Sequence, residues 1–279
     1  MSNITVGAHA DVPFKEYLSW EAVSKHDLDL VSKSPAHYRA SKLTPTETTP
    51  AMHFGTAAHA WILEPETAAR HVAIAPKIDR RTKDGKAQWA EFEMMHANKT
   101  HINSDDARHL SAMSAAVNNH KIAKELLKSR KGTEVSVLWQ DPRTKSMCRC
   151  RPDLVTDNII VDLKTTYDAS KAAFMHTVHK YRYHVQAAYY LDGCRAVGLV
   201  PEVSDFIFIA VEKKPPYGVA VYHLAADDID RGRFQYERDL TRYTYAFQHN
   251  HWFGYSESID TIELPYFARK EIDILTANE

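Results

Sequence analysis

Two aspartates and a lysine stand out in the stretch "PDLVTDNIIVDLKTT", residues 152–166. Asp157-Asn158 tolerates positive φ and reads as the two-residue tip of a hairpin. Pairing outward from that tip sets Thr156 against Ile159, Val155 against Ile160, Leu154 against Val161 and Asp153 against Asp162. Alternation along the strand then puts Lys164 on the face of Asp162. Directly opposed residues have Cβ atoms about 4.5–5.5 Å apart, where like charges repel. A divalent cation between the carboxylates removes that repulsion, and carboxylate oxygens with retained waters suit Mg²⁺. Lys164 could then orient or deprotonate a water, or neutralise charge on a reacting phosphate. In this register Cys148, Cys150, Pro152, Leu154, Val161 and Leu163 share a core face. Arg149, Arg151, Asp153, Asp162 and Lys164 share the other. The alternative is the solvated outer face of a two-layer sheet, where charges alternate with apolar residues in the same way.

The elements that must position these groups can be read from pattern. "AMHFGTAAHAWILEP" reads as a helix from about residue 51 to 63, stopped near Pro65, after a loop at 43–50. A second helical stretch starts at Ser104 as N-cap, with Asn118-Asn119 as a break. "TEVSVLWQ", "KSMCRCRPDLV" and "NIIVDLKTT" are strand candidates joined by short turns. Two helices follow, "DASKAAFMHTVHK" and "YHVQAAYYLDGCRAVG". Two further strands and a long amphipathic helix, "DDIDRGRFQYERDLTRYTYAFQHNHW", come after them. This order predicts an α/β or α+β core with a helical N-terminal half.

Composition narrows the class. The chain has 279 residues, 44% hydrophobic and 25% charged, as soluble globular domains do. Its 35 basic and 36 acidic residues nearly cancel, so any nucleic acid must be held by a local patch. Three cysteines (Cys148, Cys150 and Cys194) are too few for a disulfide framework or a four-cysteine cluster. There is no run of membrane-span length and no secretory pattern, which predicts a soluble cytoplasmic protein without a membrane partner.

Pro152-Asp153 followed by Asp162-Leu163-Lys164 resembles the P-D…(D/E)-x-K nuclease core. Gln186-Ala-Ala-Tyr-Tyr190 resembles the Q-x-x-x-Y helix motif of RecB-like nucleases, and His59 in "FGTAAHAWILEP" resembles their metal-binding histidine. Together the strings are similar to the RecE-type exonuclease, the exodeoxyribonuclease VIII C-terminal nuclease domain of phages and prophages. The resemblance implies a restriction-endonuclease-like fold, a mixed sheet flanked by helices. It implies an extension over 1–26, a nuclease domain over 27–255 (helical part 27–130, sheet and helices 131–255) and a tail over 256–279. It further implies 5′→3′ degradation of one strand of linear duplex DNA, leaving a 3′ tail for a RecT-like annealing protein. A toroidal homo-oligomer, tetrameric in the best-known member, is implied as well. Carried over, His59, Asp153, Asp162 and the Leu163 carbonyl would hold one or two Mg²⁺ ions, with Mn²⁺ as a substitute. Lys164 would be the catalytic lysine, while Gln186 and Tyr190 would orient the DNA backbone or that lysine. Glu134 is placed like an acidic residue that many such nucleases carry before the core.

Arg149 and Arg151, on the predicted metal face, are candidates for phosphate contact. So are Arg80, Arg81, Lys83 and Lys86 in the loop "KIDRRTKDGK", where a solvated loop is the rival. Trp89 just after it could stack on a base or pack its own helix. Two rival functions keep the same residues: a structure-specific or nicking endonuclease, and a catalytically silent DNA-binding module.

Overall fold

A computed structural model describes residues 4–44, 49–201 and 204–276, so the predicted loop at 43–50 lies partly outside the described residues. The chain begins with β1 (Gly7–His9), α1 (Phe14–Ser19), α2 (Lys25–Lys33), α3 (Pro35–Leu43) and α4 (Pro50–Leu63). α5 (Ala68–His71), β2 (Val72–Ile74), α6 (Lys83–Met95), β3 (Thr100–Ile102), α7 (Ser104–Asn119) and α8 (Lys121–Lys128) complete the helical half. The central part holds β4 (Gly132–Thr133), β5 (Ser136–Gln140), β6 (Met147–Cys150), β7 (Leu154–Val155) and β8 (Ile159–Thr166). Then come α9 (Lys171–Lys180), α10 (Tyr183–Ala196), β9 (Asp205–Glu212), β10 (Val219–His223), α11 (Ala226–Gln248) and α12 (Tyr266–Thr276).

Among the described residues the strands form three sheets, ordered β1-β5-β6, β10-β9-β8-β7-β4 and β2-β3. The five-stranded sheet is mixed: β8 and β9 are parallel, and its other pairs are antiparallel. A parallel pair needs a crossover, supplied here by α9 and α10. The predicted hairpin register is the observed one, with Leu154 opposite Val161 and Val155 opposite Ile160.

Helices cover both faces of this sheet. Ile160 belongs to a core shared with α2, α9, α10 and α11. Val161 and Leu163 belong to another, shared with α4, α7 and α8. β8 is thus buried on both sides, and Asp162 is 1% exposed. That excludes the solvated outer face as the setting of the Asp-x-Lys triplet. The helical half follows its own capping chemistry. Asn103, one residue before the predicted Ser104, caps α7 by accepting from the Asp105 and Asp106 N–H groups. The predicted break is real, and the His120 ring caps the helix that restarts there.

Residues 132–140 and 147–155 form one long antiparallel hairpin that passes from one sheet into the other. Val137 lies opposite Cys150 in the three-stranded sheet, and Thr133 opposite Leu154 in the five-stranded one, in continuous register. The bend falls at Glu134, whose φ of +48° is in the left-handed region, and its N–H donates to the Asp153 carbonyl. This bend corrects the predicted faces. Cys148 and Cys150 join the core of Ile160 and α10, whereas Leu154 joins the core on the α4 side. Residues 7–23 lie along the three-stranded sheet: β1 pairs with β5, and Tyr17 and Trp20 pack on Leu138.

Candidate metal centre and its surroundings

β7 begins only at Leu154, opposite Val161, so the edge of β8 beyond Val161 is open on that side. Alternation in an antiparallel ladder directs the backbone groups of Leu163 into this notch. Its N–H donates to Asp153 Oδ2 at 2.7 Å, and its carbonyl faces the same way. α4 brings His59 to the notch from the other layer. His59 Nδ1 lies 3.4 Å from Asp153 Oδ1 and 3.4 Å from Glu134 Oε1. His59, Glu134 and Asp153 offer ligand atoms within 4.8 Å of one another. Glu134 reaches this centre from a left-handed backbone, a kind of strain common at functional sites.

Asp162 points elsewhere. Its Oδ2 lies 2.6 Å from Lys164 Nζ, and its Oδ1 accepts from Gln186 Nε2 at 2.5 Å. Gln186 Oε1 in turn accepts from Lys164 at 3.1 Å. The carboxamide therefore ties both groups to α10, with the Lys164 ammonium 4.3 Å above the Tyr183 ring. The expectation that Asp153 and Asp162 face each other across one ion needs correction. Two neighbouring buried carboxylates each take a positive partner, Asp153 the imidazole and Asp162 the lysine.

The electrostatics follow from that arrangement. Burial works against charge on His59, but Asp153 and Glu134 outweigh it and hold the imidazole pKa well above its usual value. Burial works against Asp153 too, yet His59, Lys164 and the Leu163 N–H keep its carboxyl below the usual range. Burial, opposed by Lys164 and aided by Asp153, pushes Asp162 up to about 6. Lys164 is raised despite burial, because Asp162, Tyr183 and Asp153 surround it. These neighbours favour its ammonium form.

The donor set suits a small divalent cation: one imidazole, two carboxylates and a carbonyl, with few soft atoms. Asp162 stays outside this set, its Oδ2 taken by the Lys164 ammonium. A family model described as a PDDEXK-like domain of unknown function (DUF3799) matches residues 24–265. The chain belongs to this family. Among solved structures, the DUF3799 chain is similar to a "putative exonuclease" from Eubacterium rectale. Identity is 12% over 89% of this chain and 92% of that one, with a TM-score of 0.57. That match shows the fold, a mixed α/β PDDEXK-like architecture. A second structure, SSO0001, is 15% identical over 76% and 85% of the two chains, and its TM-score of 0.29 supports no comparison of shape. No curated protein matches the chain by sequence.

Other predicted site residues of the DUF3799 chain fall in several places. Tyr190 is half-buried on α10, and burial and the fields of Tyr17, Cys150, Asp162 and Asp153 hold its hydroxyl proton firmly. Arg149 does not share the carboxylate face: it is buried, and it donates to the Tyr17 and Trp20 carbonyls. Arg151 does reach the centre, but it binds Glu134 through Nε at 2.9 Å and Ser136 and Val12 through Nη1. Arg81 forks onto Asp79, and Arg80 stacks 4.3 Å from the Trp89 ring, which itself packs on Phe92 and His101. Lys83 and Lys86 are exposed on the first turn of α6. Tyr183 joins the Gln186 face of α10 beneath Lys164. Its spacing three residues before Gln186, one helical turn, is the signal that joins it to Lys164.

Proposed function

We propose that this chain is a metal-dependent exonuclease acting on linear double-stranded DNA. The observation that carries the reading is the notch beside β8. His59, Glu134 and Asp153 converge there, and the Asp162–Lys164–Gln186 unit stands next to them. Family membership supports the class of chemistry, and the Eubacterium rectale relative is named for an exonuclease.

In this reading His59, Glu134 and Asp153 hold Mg²⁺ or Mn²⁺, as one or two ions, with Asp162 and the Leu163 carbonyl in reach. The ion would polarise the scissile phosphate and make a bound water acidic. Lys164 keeps its proton and balances negative charge growing on the phosphoryl oxygens. Gln186 holds Lys164 and Asp162 in one orientation, and Tyr183 supports the ammonium from below through its ring. What supports 5′→3′ polarity, a 3′-tailed product for an annealing protein, and a ring-shaped homo-oligomer is the RecE-type order of the sequence motifs.

Linear duplex labelled at either the 5′ or the 3′ end, with Mg²⁺, tests the proposal. Early release of the 5′ label and survival of covalently closed circles is the expected result. Cleavage of closed circles would make the chain an endonuclease instead.

A further inference from the structure

The junction of α9 and α10 carries an aromatic pair, Tyr183 opening α10 and Tyr181 in the loop before it, and Tyr181 has no part in the metal chemistry. Tyr183 lies under the Lys164 ammonium and packs on Phe208 in the core. Tyr181 stacks on Tyr183, with ring centroids 5.7 Å apart and planes 23° from parallel. Yet Tyr181 itself is 51% exposed. Lys180, also exposed, stands 5.4 Å over the Tyr181 ring. A ladder of Asp162, Lys164, Tyr183, Tyr181 and Lys180 thus runs from the reacting groups to solvent.

The loop is held for this shape. Arg182, between the two tyrosines, adopts left-handed backbone angles of φ 54° and ψ 42°. Such a conformation costs a non-glycine residue stability and persists only where surroundings impose it. Here they do: the guanidinium pairs with Asp29 at 3.3 Å and with Asp239, which is wholly buried. Lys25 Nζ adds a grip by donating to the Tyr181 carbonyl at 2.8 Å while pairing with Asp29 at 2.7 Å. Two separate helices, α2 and α11, therefore fix where Tyr181 stands.

We propose that Tyr181 is a stacking step for one nucleobase of the bound strand, next to the phosphate that Lys164 serves. The base stacks on the exposed Tyr181 ring in place of Lys180, whose charge then meets the neighbouring phosphate. Base–aromatic stacking tolerates any sequence, because every base presents a π-face. The substrate class is accordingly DNA of any sequence, with the strand unpaired at this step. This proposal rests on the nuclease reading of the adjoining site.

Short single-stranded oligodeoxynucleotides with 2-aminopurine at each position in turn, bound in EDTA, test it directly. One position should be quenched on binding to the native protein and to Tyr181→Phe, and should stay bright with Tyr181→Ala. Tyr181→Ala should also weaken binding about tenfold, the size of one base's stacking, and an abasic unit at that position should abolish the difference between the variants. Equal quenching in the native protein and Tyr181→Ala, with circular dichroism unchanged, overturns the stacking step. Hydrolysis of linear duplex in Mg²⁺ is measured in parallel. Quenching without hydrolysis overturns the nuclease reading and leaves the stacking step standing; hydrolysis without Tyr181-dependent quenching does the reverse.

Discussion

Arg151 holds Glu134 from behind. Its Nε donates to Glu134 Oε2 at 2.9 Å, while Glu134 Oε1 faces His59 at 3.4 Å. The same guanidinium donates to the Val12 carbonyl at 2.9 Å and the Ser136 hydroxyl at 3.0 Å. A segment ahead of residue 24, where the family match begins, is thereby wired to a candidate ligand.

Arg151→Met should lower the affinity of the site for Mn²⁺ by about 10–100-fold, the usual effect of losing a group that orients a ligand. Arg151→Lys should recover little, because a point charge cannot reproduce a planar fork. Calorimetric Mn²⁺ titration checks both, and native affinity in Arg151→Met would refute the role.

Lys164→Met and Asp162→Asn should each reduce turnover by about 10²–10³-fold, the range for removing one aimed electrostatic group. Gln186→Leu should fall between these and the native protein, since it only orients the pair. Single-turnover rates at saturating DNA separate this loss from weaker binding. A Gln186→Leu protein as fast as the native one would mean that the carboxamide bonds have no part in the reaction.

The metal-free protein should become less stable as pH rises. Asp162, at about 6, and His59, held above its usual value, both bind their protons more tightly folded than unfolded. Their stabilisation is full below the unfolded values, about 4 and about 6.5, and is lost as pH climbs through the folded ones. Asp153 has the opposite sign: its contribution is present above about 4 and is lost only at lower pH, through its depressed folded value. In EDTA, Tm should therefore fall between roughly pH 5 and 8, and Mg²⁺ should restore it at the upper end. Melting curves across that range decide the matter; a level EDTA profile contradicts the assignment.

Gly232→Ala should destabilise by about 1–3 kcal/mol. A Cβ there would come within 2.2 Å of the His184 carbonyl oxygen, forcing α11 away from the helix that carries Gln186. Urea denaturation measures the change, and an unaltered midpoint would show that the two helices part without penalty.

Much of the centre was legible because it depends on short-range rules. A two-residue tip at Asp157-Asn158 and strict alternation fixed the hairpin register, and with it the neighbourhood of Asp153, Leu163 and Asp162. Apolar pattern likewise announced β5, β6, β8, β9 and β10. What stayed hidden depends on long-range packing. Arg149 was misplaced because the hairpin bends between sheets, which alternation along a single strand cannot reveal. β1, β2 and β3 are three residues each, too short for a periodic signal. Nor could any local pattern disclose that Arg151 answers to Glu134, or that Asp162 turns to Lys164.

The crossing of one hairpin between two sheets has a mechanical corollary. Glu134 sits at the hinge of that crossing, and His59 stands on a helix packed beneath the five-stranded sheet. The span between these two donors is therefore set by how the hairpin crosses between the sheets. An ion held by His59, Glu134 and Asp153 would tie the crossing of the hairpin to α4, so its grip and the rigidity of that junction would rise and fall together.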